Sequence, residues 1–242
     1  MKLGVCQMTV SEKTRVNLNK ILNFLDEAVE HDIDLLVFPE MVLTGYTPDV
    51  VLSSKINDMI DECLWMIKEK IKRLQIAAII GHPYKEEGKL FNRASVILPD
   101  GQVYTYDKNN LVDIEKKYFQ PGEKTLTFEY KGEVFGVIIC RDQNYPKLSQ
   151  EVVKSGAKFL FILSAHFYNP KEARWKLEKN RAIPITRAVE NGIYVLMANT
   201  VGTHLGTISL GNSLIVDPDG AVVVSAGESE EGILSLSLFD VE

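Results

Sequence analysis

The sequence contains few of the residues that bind metals or cross-link small domains. Among its 242 residues are three cysteines and only four histidines, which are scattered along the chain. Cys6, Cys63 and Cys140 are odd in number, lie far apart and form no C-x-x-C pair. This pattern argues against a disulfide framework and against a zinc or iron–sulfur site. We therefore expect no metal, no cofactor and a reducing, cytoplasmic location.

Long apolar runs and an excess of basic residues are also missing. The formal net charge is −6, so no basic surface is predicted for nucleic acid or an anionic membrane. No apolar run approaches transmembrane length, and the first residues resemble a strand rather than a signal peptide. The glycines at 202, 206 and 211 lack the pattern of a phosphate or dinucleotide loop and are interpreted as loop glycines. A small molecule is the expected partner.

The apolar residues that are present alternate between strand and helix patterns. The chain is 45% hydrophobic and 25% charged, and no linker divides it, so we expect one domain over residues 1–242. Strands alternating with helices, mixed with hairpins, predict an α/β fold with mixed sheets. Helices are predicted at 14–31, 57–73, 146–155 and 171–190, a loop with one helical turn at 107–124, and strands at 3–8, 35–38, 77–81, 91–98, 102–106, 125–130, 133–139, 158–163, 193–198, 212–217, 221–225 and 232–238.

Three of these strands deliver a reactive group at or just beyond their ends. Cys140 closes an apolar strand, Glu40 follows the second predicted strand, and Lys108 follows the fifth. Each residue type, taken alone, is more often structural or solvated. Together they supply the parts of covalent acyl transfer. A thiolate attacks a carbonyl, a carboxylate takes the thiol proton, and an ammonium stabilises the oxyanion.

The motifs around these residues resemble those of the nitrilase, or carbon–nitrogen hydrolase, superfamily. They occur in the family's order and span nearly the whole chain. Two positions depart from the usual pattern: Asn110 stands where the family more often has histidine, and Arg141 where an aromatic or acidic residue is frequent. The matching segments are 35–40 with 44–46, 106–111, 136–146, 187–192, 198–199 and 211–220.

The resemblance implies a four-layer α-β-β-α sandwich with two mixed β-sheets. It also implies a Glu-Lys-Cys triad, for which the matching residues are Glu40, Lys108 and Cys140. The family has a second glutamate ahead of a Pro-Gly pair, and Glu115 has suitable spacing for that role. The backbone N–H of Arg141 would join the lysine in stabilising the oxyanion.

Loops at the same sheet ends should form the walls of the substrate pocket. Tyr46, Asn144, Tyr145 and His166 are the candidates for substrate binding, because aromatic and amide groups suit a small polar substrate. The presence of each of these residues in a loop is explained equally well by ordinary packing without any substrate. The resemblance also implies a homodimer or a larger homo-oligomer, with the helix at 171–190 as the candidate interface.

The implied function is hydrolysis of a non-peptide carbon–nitrogen bond in a small linear amide, with ω-amidase activity as one form. Cys140 would form a thioester, ammonia would leave, and water would release the acid. The same triad suits an N-carbamoyl amine or a nitrile, which remain alternatives. A non-catalytic interaction protein on this fold is the alternative of another class, although all four catalytic positions carry the expected residue types.

Overall fold

The computed structural model describes residues 1–238 as two six-stranded sheets, a separate hairpin and the helices that cover the sheets. In chain order the elements are β1 (Lys2–Gln7), α1 (Thr14–Glu30), β2 (Leu35–Val37), α2 (Pro48–Val51), α3 (Ile56–Leu74), β3 (Ala77–Glu86), β4 (Lys89–Ile97), β5 (Val103–Asp107), β6 (Leu126–Tyr130), β7 (Glu133–Ile139), α4 (Pro146–Lys154), β8 (Phe159–Ser164), α5 (Pro170–Asn191), β9 (Tyr194–Asn199), β10 (Val201–His204), β11 (Thr207–Leu210), β12 (Leu214–Val216), β13 (Val222–Ser225) and β14 (Gly232–Ser237).

Both sheets have a parallel centre and antiparallel edges. The first has the order β14-β1-β2-β3-β4-β5, in which β1, β2 and β3 are parallel and are connected through α1 and α3. The second has the order β13-β12-β9-β8-β7-β6, in which β7, β8 and β9 are parallel and are connected through α4 and α5. The strands of the parallel centres are short apolar runs, as expected for strands that are covered on both faces.

The two sheets pack against each other, and helices cover their outer faces. Side chains from both sheets form one buried cluster, which includes Val37 from β2 and Phe161 from β8. A second cluster holds α1 and α3 against the other face of the first sheet, with Leu18 and Ile67 among its buried members. The predicted four-layer α-β-β-α sandwich with two mixed sheets is therefore confirmed.

The sheets also meet at one end of their parallel centres. The Glu40 N–H donates to the Ser164 carbonyl at 3.3 Å, which connects the segment after β2 with the end of β8. Met8 and Thr200 form an isolated parallel bridge just beyond β1 and β9. The carboxyl ends of strands from different sheets are thus held side by side, where their loops can share one cavity.

The structure differs from the sequence-based expectation mainly between residues 199 and 212. Two of the glycines interpreted as loop glycines belong to a hairpin, because Gly202 lies in β10 and Gly206 in the turn before β11. The strands of this hairpin have four residues each, and its turn begins with Leu205, which is not a typical turn residue. Strands of four residues are too short to give a reliable period-two pattern in the sequence, so the hairpin was not predicted. The strand expected at 77–81 also continues to Glu86.

Two further properties of the described residues bear on function. Between residues 1 and 238, no helix has the length and apolarity needed to cross a membrane. In the same range, no group of three or more His, Cys, Asp or Glu side chains is arranged to hold a metal ion.

Gly136 provides a test of how α4 packs on the second sheet. A Cβ atom built on Gly136 in β7 would lie 2.0 Å from Cγ1 of Val152 in α4. Gly136→Ala should therefore lower the free energy of unfolding by about 1–3 kcal/mol through overpacking, measured by urea denaturation. Combining it with Val152→Ala removes the clashing methyl, so the double variant should be less destabilised than the sum of the single variants. Additive effects would contradict this packing.

Candidate active site

A buried lysine lies between two buried carboxylates at the end of the first sheet. Lys108 directly follows β5, and its Nζ donates to Glu40 Oε1 at 2.7 Å and to Glu115 Oε1 at 2.9 Å. The side chains of all three residues are about 1% exposed. Charged groups are buried to this extent only when they are paired, so the three side chains form one electrostatic unit.

Tyr46 and Asn92 hold the two carboxylates beside each other. The Tyr46 hydroxyl lies 2.8 Å from Oε1 of Glu40 and 2.8 Å from Oε1 of Glu115. Asn92 Nδ2 donates to the same two oxygens, at 2.8 and 3.0 Å. The second oxygen of Glu115 accepts from the Val112 N–H at 2.8 Å. By contrast, Glu40 Oε2 is buried without a hydrogen-bond partner among residues 1–238.

Because Glu40 and Glu115 have different hydrogen-bond partners, the pKa values of their carboxyl groups differ. Burial raises the pKa of Glu40, and the charge of Lys108 offsets this only in part. Burial acts in the same direction on Glu115, but Lys108 and the Val112 N–H outweigh it and lower the pKa. For Lys108, burial opposes the charged form, yet the neighbouring carboxylates dominate and raise the pKa. Glu40 is therefore the carboxyl group that takes up and releases a proton most readily.

Cys140 faces this unit from the end of the second sheet. It directly follows β7, has a φ of +47°, and begins a 3₁₀ turn over Cys140–Asn144. This left-handed conformation turns the chain sharply at the cysteine, as at the nucleophile of a hydrolase elbow. Burial and the charge of Glu40 raise the pKa of the Cys140 thiol, and the charge of Lys108 offsets this only partly. The resting group is a thiol, so a nearby base must take its proton before it can attack.

Asp142 connects the cysteine turn to the chain around Lys108. One carboxylate oxygen accepts from the Tyr106 hydroxyl at 2.7 Å and from the Ile139 N–H at 3.1 Å. The other accepts from the backbone and side-chain N–H groups of Asn110 at 2.7 and 2.9 Å. The Asp142 side chain is fully buried. Four donors from three segments therefore converge on one carboxylate, which fixes the position of Cys140 relative to Lys108.

The triad opens into a cavity of about 670 Å³. Glu40, Lys108, Glu115 and Cys140 form part of its lining, together with side chains from α2, the loop after β5 and the β10–β11 hairpin. The cavity thus brings together all the predicted catalytic residues at one surface that a ligand can reach.

The other predicted site residues fall into two groups. Tyr46, Arg141 and His166 line the cavity, and burial lowers the pKa of His166 to about 3, so its ring is neutral. Asn144 and Tyr145 lie outside the lining of this cavity; Asn144 is exposed and Tyr145 is 41% exposed.

Sequence reasoning did not identify Asn92, Asp142 or His204 as site residues. Asn92 lies at the start of the buried stretch of β4. An amide inside a strand that is expected to be buried must have hydrogen-bond partners, and this is the signal that would have marked Asn92 as a site residue. Asp142 occupies the third position of the cysteine turn, where an acid can cap the turn. His204 Nε2 accepts the Tyr46 N–H at 3.2 Å, a contact over 158 residues that no local pattern indicates.

The comparisons with known proteins point to one family. A family model described as Carbon-nitrogen hydrolase matches residues 2–238. A solved structure of a mutant of the Nesterenkonia AN1 amidase, from the nitrilase superfamily, has a TM-score of 0.89 to this chain. That amidase is 25% identical, and the match covers 100% of this chain and 91% of the other.

Curated relatives are similar at modest identity. An (R)-stereoselective amidase from Pseudomonas sp is 28% identical over 95% of this chain and 82% of its own length. The omega-amidase of Saccharomyces cerevisiae is 26% identical over 96% of this chain and 84% of its own length. The glutamine-dependent NAD(+) synthetase of Acinetobacter baylyi is 30% identical over 93% of this chain, but the match covers only 41% of the synthetase.

Asp142→Asn tests whether this carboxylate organises the cysteine turn. The asparagine side chain has only one accepting oxygen, and its NH₂ group would face the donors that now bind the second carboxylate oxygen. Those buried donors would lose their hydrogen-bond acceptor. We expect the free energy of unfolding to fall by about 1–3 kcal/mol and alkylation of Cys140 by iodoacetamide to change at least severalfold. Asp26→Asn, at a half-exposed acid in α1 that pairs with Lys70 and lies outside the cavity lining, is the matched control and should change neither. Equal behaviour of the two variants would exclude the proposed role of Asp142.

Proposed function

The chain belongs to the carbon-nitrogen hydrolase family, and we propose that it hydrolyses a small linear amide through a thioester on Cys140. The observation that carries this proposal is the convergence of Glu40, Lys108, Glu115 and Cys140 on one cavity. These are the base, the cation, the second acid and the nucleophile that acyl transfer requires.

Glu40 acts as the base through its free oxygen. Its Oε1 is occupied by Lys108, Tyr46 and Asn92, whereas Oε2 has no partner within the described range. Oε2 therefore takes the proton of the Cys140 thiol, and the sulfur attacks the carbonyl carbon of the amide. The raised pKa of Glu40 suits a group that must hold this proton and later release it.

Lys108 stabilises the negative charge that develops on the carbonyl oxygen. An ammonium group has three N–H donors, and two of them are directed at Glu40 and Glu115. The third donor is available to the oxyanion, with the backbone N–H of Arg141 as the second donor. Because the two carboxylates already fix the ammonium, little reorganisation is needed when the charge forms.

The remaining steps return the enzyme to its resting state. Protonated Glu40 gives its proton to the leaving nitrogen, the carbon–nitrogen bond breaks, and ammonia departs. Glu40 is then ionised again and takes a proton from water, whose oxygen attacks the thioester carbon. The carbon–sulfur bond breaks, the acid leaves, and Glu40 returns the proton to the sulfur of Cys140. Glu115 stays ionised throughout, because its pKa is lowered, and it keeps Lys108 charged and in place.

The ω-amide of a dicarboxylate is a second candidate substrate. Arg141 lines the cavity next to the nucleophile, and its guanidinium has no ion-pair partner in residues 1–238. A guanidinium in this position could pair with a carboxylate at the far end of a substrate. N-carbamoyl amines and nitriles would use the same triad and belong in the same assay.

The covalent step can be tested directly. The wild-type protein, incubated with acetamide, butanamide, glutaramate, a carbamoyl amine or a nitrile, should release ammonia from at least one amide. Mass spectrometry of the quenched protein should show an acyl adduct on Cys140. Cys140→Ala should lose both signals, whereas Cys63→Ala, at a helix position distant in sequence from the triad, should retain them. Full turnover by Cys140→Ala would exclude the mechanism.

The pH profile tests the role assigned to Glu40. The base must be ionised, so kcat/KM should fall as the pH drops through the pKa of Glu40, which burial raises above the ordinary value of 4.5. The Tyr46 hydrogen bond lowers this pKa. Tyr46→Phe should therefore move the acidic limb to higher pH, besides lowering kcat. An acidic limb that stays in place or moves to lower pH would contradict the assignment.

A further inference from the structure

The cavity is larger and more apolar than hydrolysis of a short amide requires. Its volume of about 670 Å³ lies within the roughly 300–1,000 Å³ typical of sites for drug-sized ligands. Its buried charged groups, Glu40, Lys108 and Glu115, lie at the base with Cys140. The walls above the base are largely apolar and include Val51, Leu52, Ile114, Phe119, Phe167 and Leu205.

Large apolar side chains are also exposed around the mouth of this cavity. Leu52, Ile114, Tyr118 and Leu205 come from three separate segments, and each is between 45% and 65% exposed. Single exposed apolar residues are normal on a protein surface, but a cluster around one opening indicates a binding site. Since the cluster continues into the cavity that contains the triad, the ligand it fits is the substrate.

In the β10–β11 hairpin, the turn beside the cavity places Leu205 in a left-handed backbone conformation that disfavours leucine. Three hairpins share a two-residue turn in which both residues have positive φ: Glu87-Gly88 (49° and 79°), Lys131-Gly132 (50° and 82°) and Leu205-Gly206 (48° and 76°). This turn favours Asn, Asp or Gly at its first position. In the first two turns, that position holds a charged residue, Glu87 or Lys131, and Lys131 pairs with Asp34. In the third turn it holds a leucine that lines the cavity. All three turns bear the conformational cost, but only at Leu205 does the turn place an apolar side chain against the cavity.

Of the two cations nearer the mouth, Lys176 is paired with a neighbouring acid and Arg141 makes no ion pair within residues 1–238. Lys176 pairs with Glu172 at 3.4 Å and lies over the ring of Tyr168, 4.4 Å from its centroid. Arg141 is close enough to Asp113 for its charge to lower the pKa of that carboxyl. A substrate carboxylate at Arg141 would lie near the negative charge of Asp113, whereas the apolar walls have no competing occupant in the described chain.

We propose that the substrate is an amide with an apolar acyl group of several carbons, and that this group binds under the β10–β11 hairpin against Leu205. The inference rests on the proposed amidase function and names its substrate class. The scissile amide would lie at Cys140, and the acyl chain would extend between Val51 and Phe119 on one side and Phe167 and Leu205 on the other.

A series of unbranched amides tests the proposal. The kcat/KM should rise about three- to fourfold for each methylene from acetamide to hexanamide, as expected when each methylene leaves water for an apolar wall. Hexanamide should exceed glutaramate, which has a similar length but ends in a carboxylate, at least tenfold. A flat or falling series, or a preference for glutaramate, would overturn the inference while leaving the amidase function intact. Absence of ammonia from every amide would instead refute the proposed function.

Leu205→Asn separates the role of this side chain from its effect on folding. Asparagine suits the left-handed turn, so the melting temperature should hold or rise. The ratio of kcat/KM for hexanamide to that for acetamide should fall at least fivefold. Glu87→Asn makes the same change in the equivalent turn between β3 and β4 and should leave the ratio unchanged. An unaltered ratio in Leu205→Asn, with the fold retained, would show that the hairpin does not contact the acyl group.

Discussion

The contact between Lys108 and its two carboxylates is the constraint on which the site depends. Each of these three groups would be costly to bury alone, and they are tolerated together because every charge has a partner. The arrangement requires the segments after β2 and β5 and the 3₁₀ turn at Glu115–Lys117 to converge. It also sets the proton chemistry, since the same lysine leaves Glu115 ionised and Glu40 ready to exchange a proton.

The architecture of two sheets supplies the second half of the site. The parallel centre of each sheet directs the loops after its strands to one end, and the sheets meet at that end through contacts such as Glu40 to Ser164. Asp142 then fixes the cysteine turn to the loop after β5. The proposed base, Glu40, and the proposed cation, Lys108, therefore follow strands of one sheet, and the proposed nucleophile, Cys140, follows a strand of the other. The packing of the sheets aligns them.

Much of the fold and of the site could be predicted from the sequence, because the patterns that indicate them lie within single segments of the chain. The apolar run before Glu40 and the periodic residues of α1 and α3 gave the right elements, because their patterns extend over whole strands or helices. The short β10–β11 hairpin was missed, since Leu205 does not signal a turn. Asn92 and Asp142 escaped notice because their partners are remote in sequence, and only the folded chain shows which donors a buried polar group meets.

The division of the triad between the sheets has a consequence for how the chain acquires activity. The strand pairs of each six-stranded sheet lie within that sheet, and Cys140 meets Glu40 only where the two inner faces pack together. During refolding, the recovery of turnover should therefore follow the docking of the two sheets rather than the formation of helices and strands within either one.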